Sequence, residues 1–294
     1  MKRTCKAGKE DAAGNYGLLC NPGVKAKRAT LLERALEHSF RRAGGIPTRQ
    51  PATYSLLGEF SKTDVSKLFP GKLSATESEK RKKLGMAFLD IMNDMPRGAQ
   101  HTAQLGMLRE QFPDAVHADD DDGNKGVIRF DLKFPVVVKD GKPREIWIDH
   151  AIVQETSPTH AGDTLEFLKE DLNHLPEKSP AFTKTYGGKV RRYKALIEVV
   201  NRLAEERKLT TQPSFLYPIV SSLGYMNDDM NTLLKEIGKC FKLNQSTERR
   251  SDGLHSGVLR GRFKTELKNN ICFALARGNA LSMCQGLDGV THPC

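Results

Sequence analysis

The chain lacks the features that mark membrane, secreted and zinc-binding proteins. No apolar run in its 294 residues approaches the roughly 20 needed to cross a bilayer. Its six cysteines, at positions 5, 20, 240, 272, 284 and 294, show no metal-type pairing, which fits a reducing compartment. The opening Met1–Lys6 is basic and has no apolar segment behind it, so we expect no signal peptide. We therefore expect an intracellular protein with no membrane partner.

Acidic residues are in the minority. The chain has 46 Lys and Arg against 36 Asp and Glu, a formal net charge of +10. The excess is clustered, since residues 178–208 hold nine basic against three acidic side chains and residues 239–268 hold eight against three. Basic faces of this kind attract the phosphate backbone. We expect a nucleic-acid partner, although charged helices that contact only solvent are also ordinary.

Two strand-like runs each place one aspartate among apolar residues. They are Gly126–Phe134 and Glu145–Gln154, with an Asp-Gly turn signal between them in Lys139–Lys142. Both runs are rich in β-branched and aromatic residues, which favour strands. We predict an antiparallel hairpin that makes Asp131 and Asp149 neighbours.

Two neighbouring carboxylates within a sheet need an explanation, because burying an ionised carboxylate is costly unless a partner compensates it. A divalent-metal site is one explanation. Carboxylate oxygens suit Mg²⁺ or Mn²⁺, hard cations that keep water ligands and bind phosphodiester oxygens. Glu155 and Glu166 are candidate further ligands. The alternative is that each aspartate lies in water at a frayed strand end, or pairs with Arg129 or Lys133.

A basic helix and a third apolar strand follow the hairpin. Apolar residues at helical spacing predict a helix within Lys184–Lys208, and Lys189 lies at the N-terminal end of its inward face. A lysine there can reach carboxylates at the strand ends. The run Ser214–Ser222 is typical of a short strand, and Pro218 within it predicts an edge position or a bulge.

Further helices are predicted on both sides of this segment. Their apolar spacing and end signals place them at Thr30–Arg42, Ala75–Met92, Gly98–Gln111, Asp228–Phe241 with Asn227 as its cap, and Gly257–Met283. The basic Lys2–Arg28 is poor in large apolar residues and indicates a flexible arm. We expect the C-terminal helix to pack back on the domain. The predicted division is 1–97 for the arm and helical N-terminal region, 98–241 for the α/β core, and 242–294 for the basic C-terminal helix and tail.

The order strand, strand, helix, strand, helix resembles the PD-(D/E)XK, or restriction-endonuclease-like, nuclease fold. The particular likeness is to the form found downstream of reverse transcriptases in non-LTR retrotransposons, and it covers residues 98–241. In that form the first acid follows an Arg/Pro-type lead, here Arg129–Asp131, and the second lies in a strand, here Ile146–Ile152. The basic residue lies on the following helix, here within Lys189–Leu196, and a strand ending like Val220–Gly224 comes next.

This resemblance implies an α/β fold of the restriction-endonuclease-like type, a mixed sheet flanked by helices, with helical N- and C-terminal extensions. It implies a metal-dependent endonuclease that hydrolyses DNA phosphodiester bonds. Asp131 and Asp149 would bind Mg²⁺ or Mn²⁺, and Lys189 would supply positive charge. Nucleic-acid contacts would come from Lys184, Arg191, Arg192 and Lys194. A retroelement origin in a eukaryote would place the protein in the nucleus, but no reverse-transcriptase motif is present.

The sequence departs from the family pattern beside both acids. The residue before the first acid is Phe130 rather than proline, and the residue two after Asp149 is Ala151 rather than lysine. Catalysis therefore requires that Lys189, or alternatively Lys184, replace the missing strand lysine. The other interpretation of Lys189 is an exposed lysine at a helix start with no catalytic role. Two other functions stay open: a catalytically degenerate nucleic-acid-binding module, and a helical scaffold or interaction protein. No pattern indicates the oligomeric state.

Overall fold

The computed structural model describes most of the chain in nine stretches. These are residues 22–57, 75–92, 95–112, 129–137, 143–154, 179–206, 212–222, 224–247 and 256–291. Within them, helices and short strands form a mixed α/β structure. The helices are α1 (Pro22–Arg42), α2 (Ala75–Met92), α3 (Ala99–Gln111), α4 (Pro180–Glu206), α5 (Asp228–Thr247) and α6 (Ser256–Thr291), with a 3₁₀ turn at Thr53–Leu56. The strands are β1 (Thr48–Arg49), β2 (Leu132–Val137), β3 (Pro143–Ile148), β4 (Ala151–Val153), β5 (Ser214–Leu216) and β6 (Ile219–Ser221).

The predicted hairpin is confirmed. β2 and β3 pair antiparallel, with Leu132 opposite Ile148 and Val137 opposite Pro143. β1 pairs antiparallel with β2, and β5 pairs parallel with β3, so the order is β1-β2-β3-β5. β5, the first half of the predicted strand Ser214–Ser222, therefore joins the hairpin sheet after α4, whereas the second half, β6, pairs parallel with β4 in a separate two-stranded sheet. The turn at Lys139–Lys142 lies outside the described residues.

The parallel pairing that runs from β3 to β4 on one side and from β5 to β6 on the other is broken at the same level on both sides. β3 and β4 face β5 and β6 in one continuous register. Between these short strands lie Asp149 and His150 on one side and Tyr217 and Pro218 on the other. Proline has no N–H to donate to the ladder, which explains why the predicted strand Ser214–Ser222 is split. β5 ends the order of its sheet, which confirms the edge position that the proline predicted.

Alternating side chains divide the core into two layers. On one face of the sheet, Trp147 of β3 packs against α2, α3 and α4 together with Phe130, which lies just before β2 and does not follow the alternation. On the other face, Phe134 and Ile148 pack against α1, α5 and α6. The ring of Phe130 stacks on that of Tyr193 from α4, with centroids 4.5 Å apart. This contact fixes α4 against the ends of the hairpin strands.

The helix predictions hold for most of the chain. α2 has the predicted bounds, and α3, α5 and α6 begin within one residue of theirs. Asn227 caps α5, since its Oδ1 accepts a hydrogen bond from Met230 N at 3.0 Å. Phe263, Leu267 and Ile271 are buried and hold α6 against the domain, as expected. No helix within the described ranges is both long and apolar enough to cross a membrane.

The predicted flexible arm Lys2–Arg28 is wrong over its last part, because α1 begins at Pro22. Arg28 is buried and donates a hydrogen bond to Asn279 Oδ1 of α6 at 3.2 Å. Gly278 permits this approach, since a Cβ added there would lie 2.7 Å from Arg28 Cγ. A contact between distant helices thus stabilises a turn of helix that local composition did not predict.

The side chain of Asn227 connects the broken strand pair to α5. Its Oδ1 accepts hydrogen bonds from Ile219 N at 2.8 Å and Met230 N at 3.0 Å, and its Nδ2 donates to Tyr217 O at 2.9 Å. Because alanine would leave these buried groups unpaired, we expect Asn227→Ala to lower the free energy of unfolding by about 2–4 kcal/mol. Urea denaturation measures this. The control Asn231→Ala changes no side-chain hydrogen bond among the described residues, and equal losses in both variants would contradict the prediction.

Candidate functional site

The two aspartates lie where the hairpin strands end, at the interruption of the parallel pair. Asp131 directly precedes β2 and Asp149 directly follows β3. A hydrogen bond of 2.9 Å from Asp131 N to Ile148 O holds the two strand ends together. The carboxyl groups are close enough to interact directly with each other. The structure therefore brings together the pair that the hairpin pattern indicated.

Asp149 is compensated by two side chains of α4. Its side chain is 11% exposed, and its Oδ2 accepts hydrogen bonds from Lys189 Nζ at 2.7 Å and from the Tyr193 hydroxyl at 2.8 Å. Burial raises the pKa of Asp149, the charge of Lys189 lowers it, and the charge of Asp131 raises it again. Burial and the neighbouring acid prevail, so this pKa lies above its ordinary value.

Lys189 does not have the solvent-exposed position considered as an alternative. α4 begins at Pro180, so Lys189 lies in its third turn rather than at its start. Its side chain is only 15% exposed, because the inward face of α4 directs it at the strand ends. Lys184, the other candidate for the missing strand lysine, is exposed and forms no ion pair with either aspartate.

Asp131 is held from the opposite face by His150, which sequence reasoning did not select. Its Oδ2 accepts a hydrogen bond from His150 N at 2.8 Å and lies 2.7 Å from His150 Nδ1. The other ring nitrogen, Nε2, lies 3.2 Å from Ala29 O of α1. Burial lowers the pKa of His150, but the adjacent carboxylate raises it above its ordinary value. Burial likewise raises the pKa of Asp131, and His150 outweighs this and holds it below its ordinary value.

A third acidic group, Glu33 of α1, lies near this pair. Burial raises its pKa, while Arg49 and His150 oppose the rise. Arg49 Nε is 3.5 Å from Glu33 Oε1. Glu33 acts on Asp131 through its charge rather than through a hydrogen bond, so it increases the negative potential at the site.

The arrangement can be tested against the divalent cation that the sequence predicts. The described residues contain no group of three or more His, Cys, Asp or Glu that could hold a metal ion. Mg²⁺ does not require one, because it is usually bound by one or two carboxylates and several waters. Around Asp131 and Asp149 the described donors contact Oδ2 and none contacts Oδ1. The pair fits Mg²⁺ or Mn²⁺, while Glu155 and Glu166 lie outside the described residues.

The basic residues predicted to bind nucleic acid all lie on the exposed side of α4. They are Lys184, Arg191, Arg192 and Lys194, and no described residue forms an ion pair with them. Three of them border a groove of about 1020 Å³ between α2 and α4. Within it, Lys80 of α2 pairs with Glu198 of α4 at 2.9 Å and is neutralised. The uncompensated charge therefore belongs to α4, the helix that also carries Lys189.

Sequence reasoning found Asp131, Asp149 and Lys189 but missed two polar partners. Tyr193 was read as part of the apolar face of α4, yet its hydroxyl contacts Asp149. Its position four residues after Lys189, on the same face, was the available signal. His150 gave no local signal, because its partner Ala29 lies far away in the chain. Lys133, considered as a partner of the aspartates, pairs instead with Glu145 at 3.0 Å.

Replacing Lys189 with methionine keeps the apolar stem and removes the charge that compensates Asp149. In EDTA at about pH 8 we expect Lys189→Met to lower the free energy of unfolding by about 2–4 kcal/mol, because an uncompensated carboxylate remains buried. The pKa of Asp149 in the folded protein is already raised and would rise further, so the folded state binds the neutralising proton more readily. The loss should therefore shrink toward about pH 5, as urea denaturation at several pH values would show.

Two further variants control this experiment. Adding Asp149→Asn to Lys189→Met removes the buried charge and should restore most of the stability. Lys184→Met removes an exposed lysine of the same helix and should change little at any pH. A loss that does not depend on pH would show that the stem of Lys189, rather than its charge, stabilises the fold.

Comparisons of the chain with models of protein families, with curated proteins and with solved structures gave no match. Any functional assignment therefore depends on the motif order in the sequence and on the geometry of the two aspartates and the lysine.

Proposed function

We propose that this protein is a metal-dependent endonuclease of the restriction-endonuclease-like type that hydrolyses DNA phosphodiester bonds. The observation that carries the proposal is the convergence of Asp131, Asp149 and Lys189 at one interruption of the sheet. They follow the order of the nuclease pattern, with Asp131 just before β2, Asp149 just after β3 and Lys189 on the helix that follows. The mixed sheet between two helical layers supports the same fold. The resemblance extends the proposal to a retroelement origin and, in a eukaryote, to the nucleus.

The chemistry follows from the residue types. In hydrolysis, a water oxygen bonds to phosphorus, one P–O ester bond breaks, and the leaving oxygen receives a proton. Mg²⁺ or Mn²⁺ held by Asp131 and Asp149 would supply Lewis acidity and an activated water. Lys189 adds a fixed positive charge at the same site, which stabilises the charge that develops on the phosphate. His150 and Tyr193 hold the two carboxylates in place, so little reorganisation is needed when substrate binds.

The charge of α4 supports a nucleic acid as the substrate. Four exposed basic residues, Lys184, Arg191, Arg192 and Lys194, lie on the helix that carries Lys189. A strand that follows this helix would bring its phosphates past the carboxylates. DNA is proposed because of the resemblance to retroelement nucleases, and the same assay performed with RNA tests the alternative.

One observation favours a second candidate, a nucleic-acid-binding module without cleavage activity. Lys189 Nζ lies 2.7 Å from Asp149, so the lysine already compensates the carboxylate that a cation would need. The described residues also offer two metal-ligating carboxylates at the site rather than three. A degenerate site would keep the fold and the basic helix and would bind DNA without cutting it.

A cleavage assay with Mg²⁺ or Mn²⁺ separates the two candidates. We expect Asp131→Asn and Asp149→Asn each to abolish cleavage, while DNA affinity measured in EDTA changes little because phosphate contacts come from α4. Lys189→Ala should slow cleavage by about 100-fold or more, the loss expected for one transition-state contact. Lys184→Ala, which removes an exposed lysine of the same helix, should have a much smaller effect.

The outcomes of this assay are distinct. Equal cleavage by the wild type and Asp149→Asn would assign the activity to another site or to a contaminant. Binding without cleavage under every divalent metal would favour the degenerate module.

The contribution of α4 to binding is measured by salt dependence. Each phosphate contact contributes about 0.7–0.9 to the slope of log affinity against log salt concentration. Replacing Arg191, Arg192 and Lys194 together with glutamine should therefore lower that slope by about 2–3. The charge-matched control replaces Arg34, Lys235 and Lys239, exposed residues of α1 and α5 on the other side of the sheet. A slope that falls equally in both triple variants would show that binding follows net charge and not the face of α4.

A further inference from the structure

Three tyrosines form a line of ring contacts that leads from the carboxylates to the surface. Tyr193, which donates a hydrogen bond to Asp149, stacks on Tyr217 with ring centroids 5.6 Å apart and planes at 21°. Tyr217 meets Tyr186 edge to face, with centroids 5.9 Å apart and planes at 79°. The first two rings are buried, whereas Tyr186 is 40% exposed. The line therefore ends in an aromatic surface open to solvent.

Tyr186 lies on α4, three residues before Lys189. Residues at this spacing are neighbours on a helix surface, so the exposed ring lies beside the proposed catalytic lysine. Its packing against Tyr217 restricts its rotamers. A ring that is already held in place loses less conformational entropy when a ligand binds to it.

Two glycines, Gly187 and Gly188, separate Tyr186 from Lys189 within α4. Glycine is unfavourable in a helix interior compared with alanine. Among the described residues, a Cβ added at Gly188 would meet nothing within 4 Å, and one at Gly187 would meet Arg191 Nη1 at 3.8 Å. Packing against the described part of the chain therefore does not require glycine at either position. The bare backbone leaves a surface that another molecule can approach closely.

The hydroxyl of Tyr217 is the second unusual feature of this area. The residue is 4% exposed, and its hydroxyl oxygen is buried with no hydrogen-bond partner among the described residues. It lies within electrostatic reach of both Asp149 and Tyr186, between the carboxylates and the exposed ring. Leaving a buried hydroxyl unpaired is costly, so Tyr217 occupies this position at the expense of stability while its ring supports that of Tyr186.

We propose that Tyr186, held in place by Tyr217, and the Gly187–Gly188 surface bind one unpaired nucleobase next to the phosphate that is cut. The base stacks on the open face of Tyr186, and the sugar-phosphate backbone crosses the glycines toward Lys189. This inference rests on the proposed function and narrows its substrate to single-stranded or locally unpaired nucleic acid. In a continuous duplex the bases are stacked on one another and are not available to a side chain.

The probe is a single-stranded oligonucleotide that carries one 2-aminopurine, whose fluorescence falls when its base stacks on an aromatic ring. Binding is measured in EDTA so that it does not depend on cleavage. Wild type should quench the probe and should bind it more tightly than a duplex of equal length. Tyr186→Ala should lose the quenching and weaken binding about 10-fold, and Tyr186→Trp should restore both. The matched control Tyr225→Ala removes a tyrosine that is 47% exposed elsewhere and should change neither.

A second variant tests the glycine surface. Gly188→Ala adds one methyl group at a point where no described residue lies within 4 Å. Alanine favours the helix, so the thermal midpoint should stay equal or rise. Binding of the single strand should nevertheless weaken severalfold, because the added group lies where the backbone passes. A purely structural role of the glycine would not produce this pair of results.

The outcomes distinguish this inference from the proposed function. Suppose that the wild type binds and cleaves DNA, and that the Tyr186→Ala variant binds and quenches the probe equally well. This result would overturn the stacking site and leave the nuclease proposal intact. Loss of quenching to the same extent in Tyr225→Ala would also overturn it. A wild type that neither binds nor cleaves any nucleic acid would refute the nuclease proposal and the stacking site together.

Discussion

The buried carboxylate of Asp149 is the constraint on which the arrangement of the site depends. An ionised group that is 11% exposed needs compensation, and Lys189 and Tyr193 of α4 provide it. α4 must therefore cross the face of the sheet at the end of β3. The interruption of the strand pair opposite Pro218 occurs at the same level, and the N–H of Asp149 still donates a hydrogen bond across it to Leu216 O at 3.3 Å. Fold and site are consequently set by the same contacts.

The two aspartates are stabilised from opposite faces, and this gives them different properties. Asp149 is compensated by α4, while Asp131 is held by His150, whose ring reaches α1. Burial and the neighbouring acid raise the pKa of Asp149, whereas His150 holds that of Asp131 below its ordinary value. Adjacent acids whose pKa values are moved in opposite directions are typical of functional sites, although structural ion pairs can do the same. The site thus joins the two layers of the core.

Local patterns predicted the hairpin and α2 well, because strand alternation and helical spacing depend on residues close in sequence. They failed where distant contacts decide. Helix at Pro22–Arg28 depends on packing against α6, and the role of His150 depends on a carbonyl of α1. The burial of the Tyr193 ring was predicted, because its position fits the helical spacing of apolar residues. The polar partner of its hydroxyl was missed, because that spacing carries no information about it. The three residues of the candidate site were found because each of them interrupts a regular pattern with a charge.

Residues that are locally unfavourable to the stability of the fold are concentrated on one segment of α4. Gly187 and Gly188 weaken the helix, and no packing against residues that the structure describes requires them, while Lys189 loses hydration to reach Asp149. Elsewhere α4 is an ordinary amphipathic helix whose inner face carries buried apolar residues such as Leu196 and Leu203. Packing of that inner face stabilises the helix enough to tolerate an unfavourable turn. Local rules are most often violated where a surface has to meet another molecule, and here the violations adjoin the two aspartates. Lys189 on this turn is explained by its ion pair with Asp149, whereas the contacts of the described residues give no reason for the two glycines that precede it.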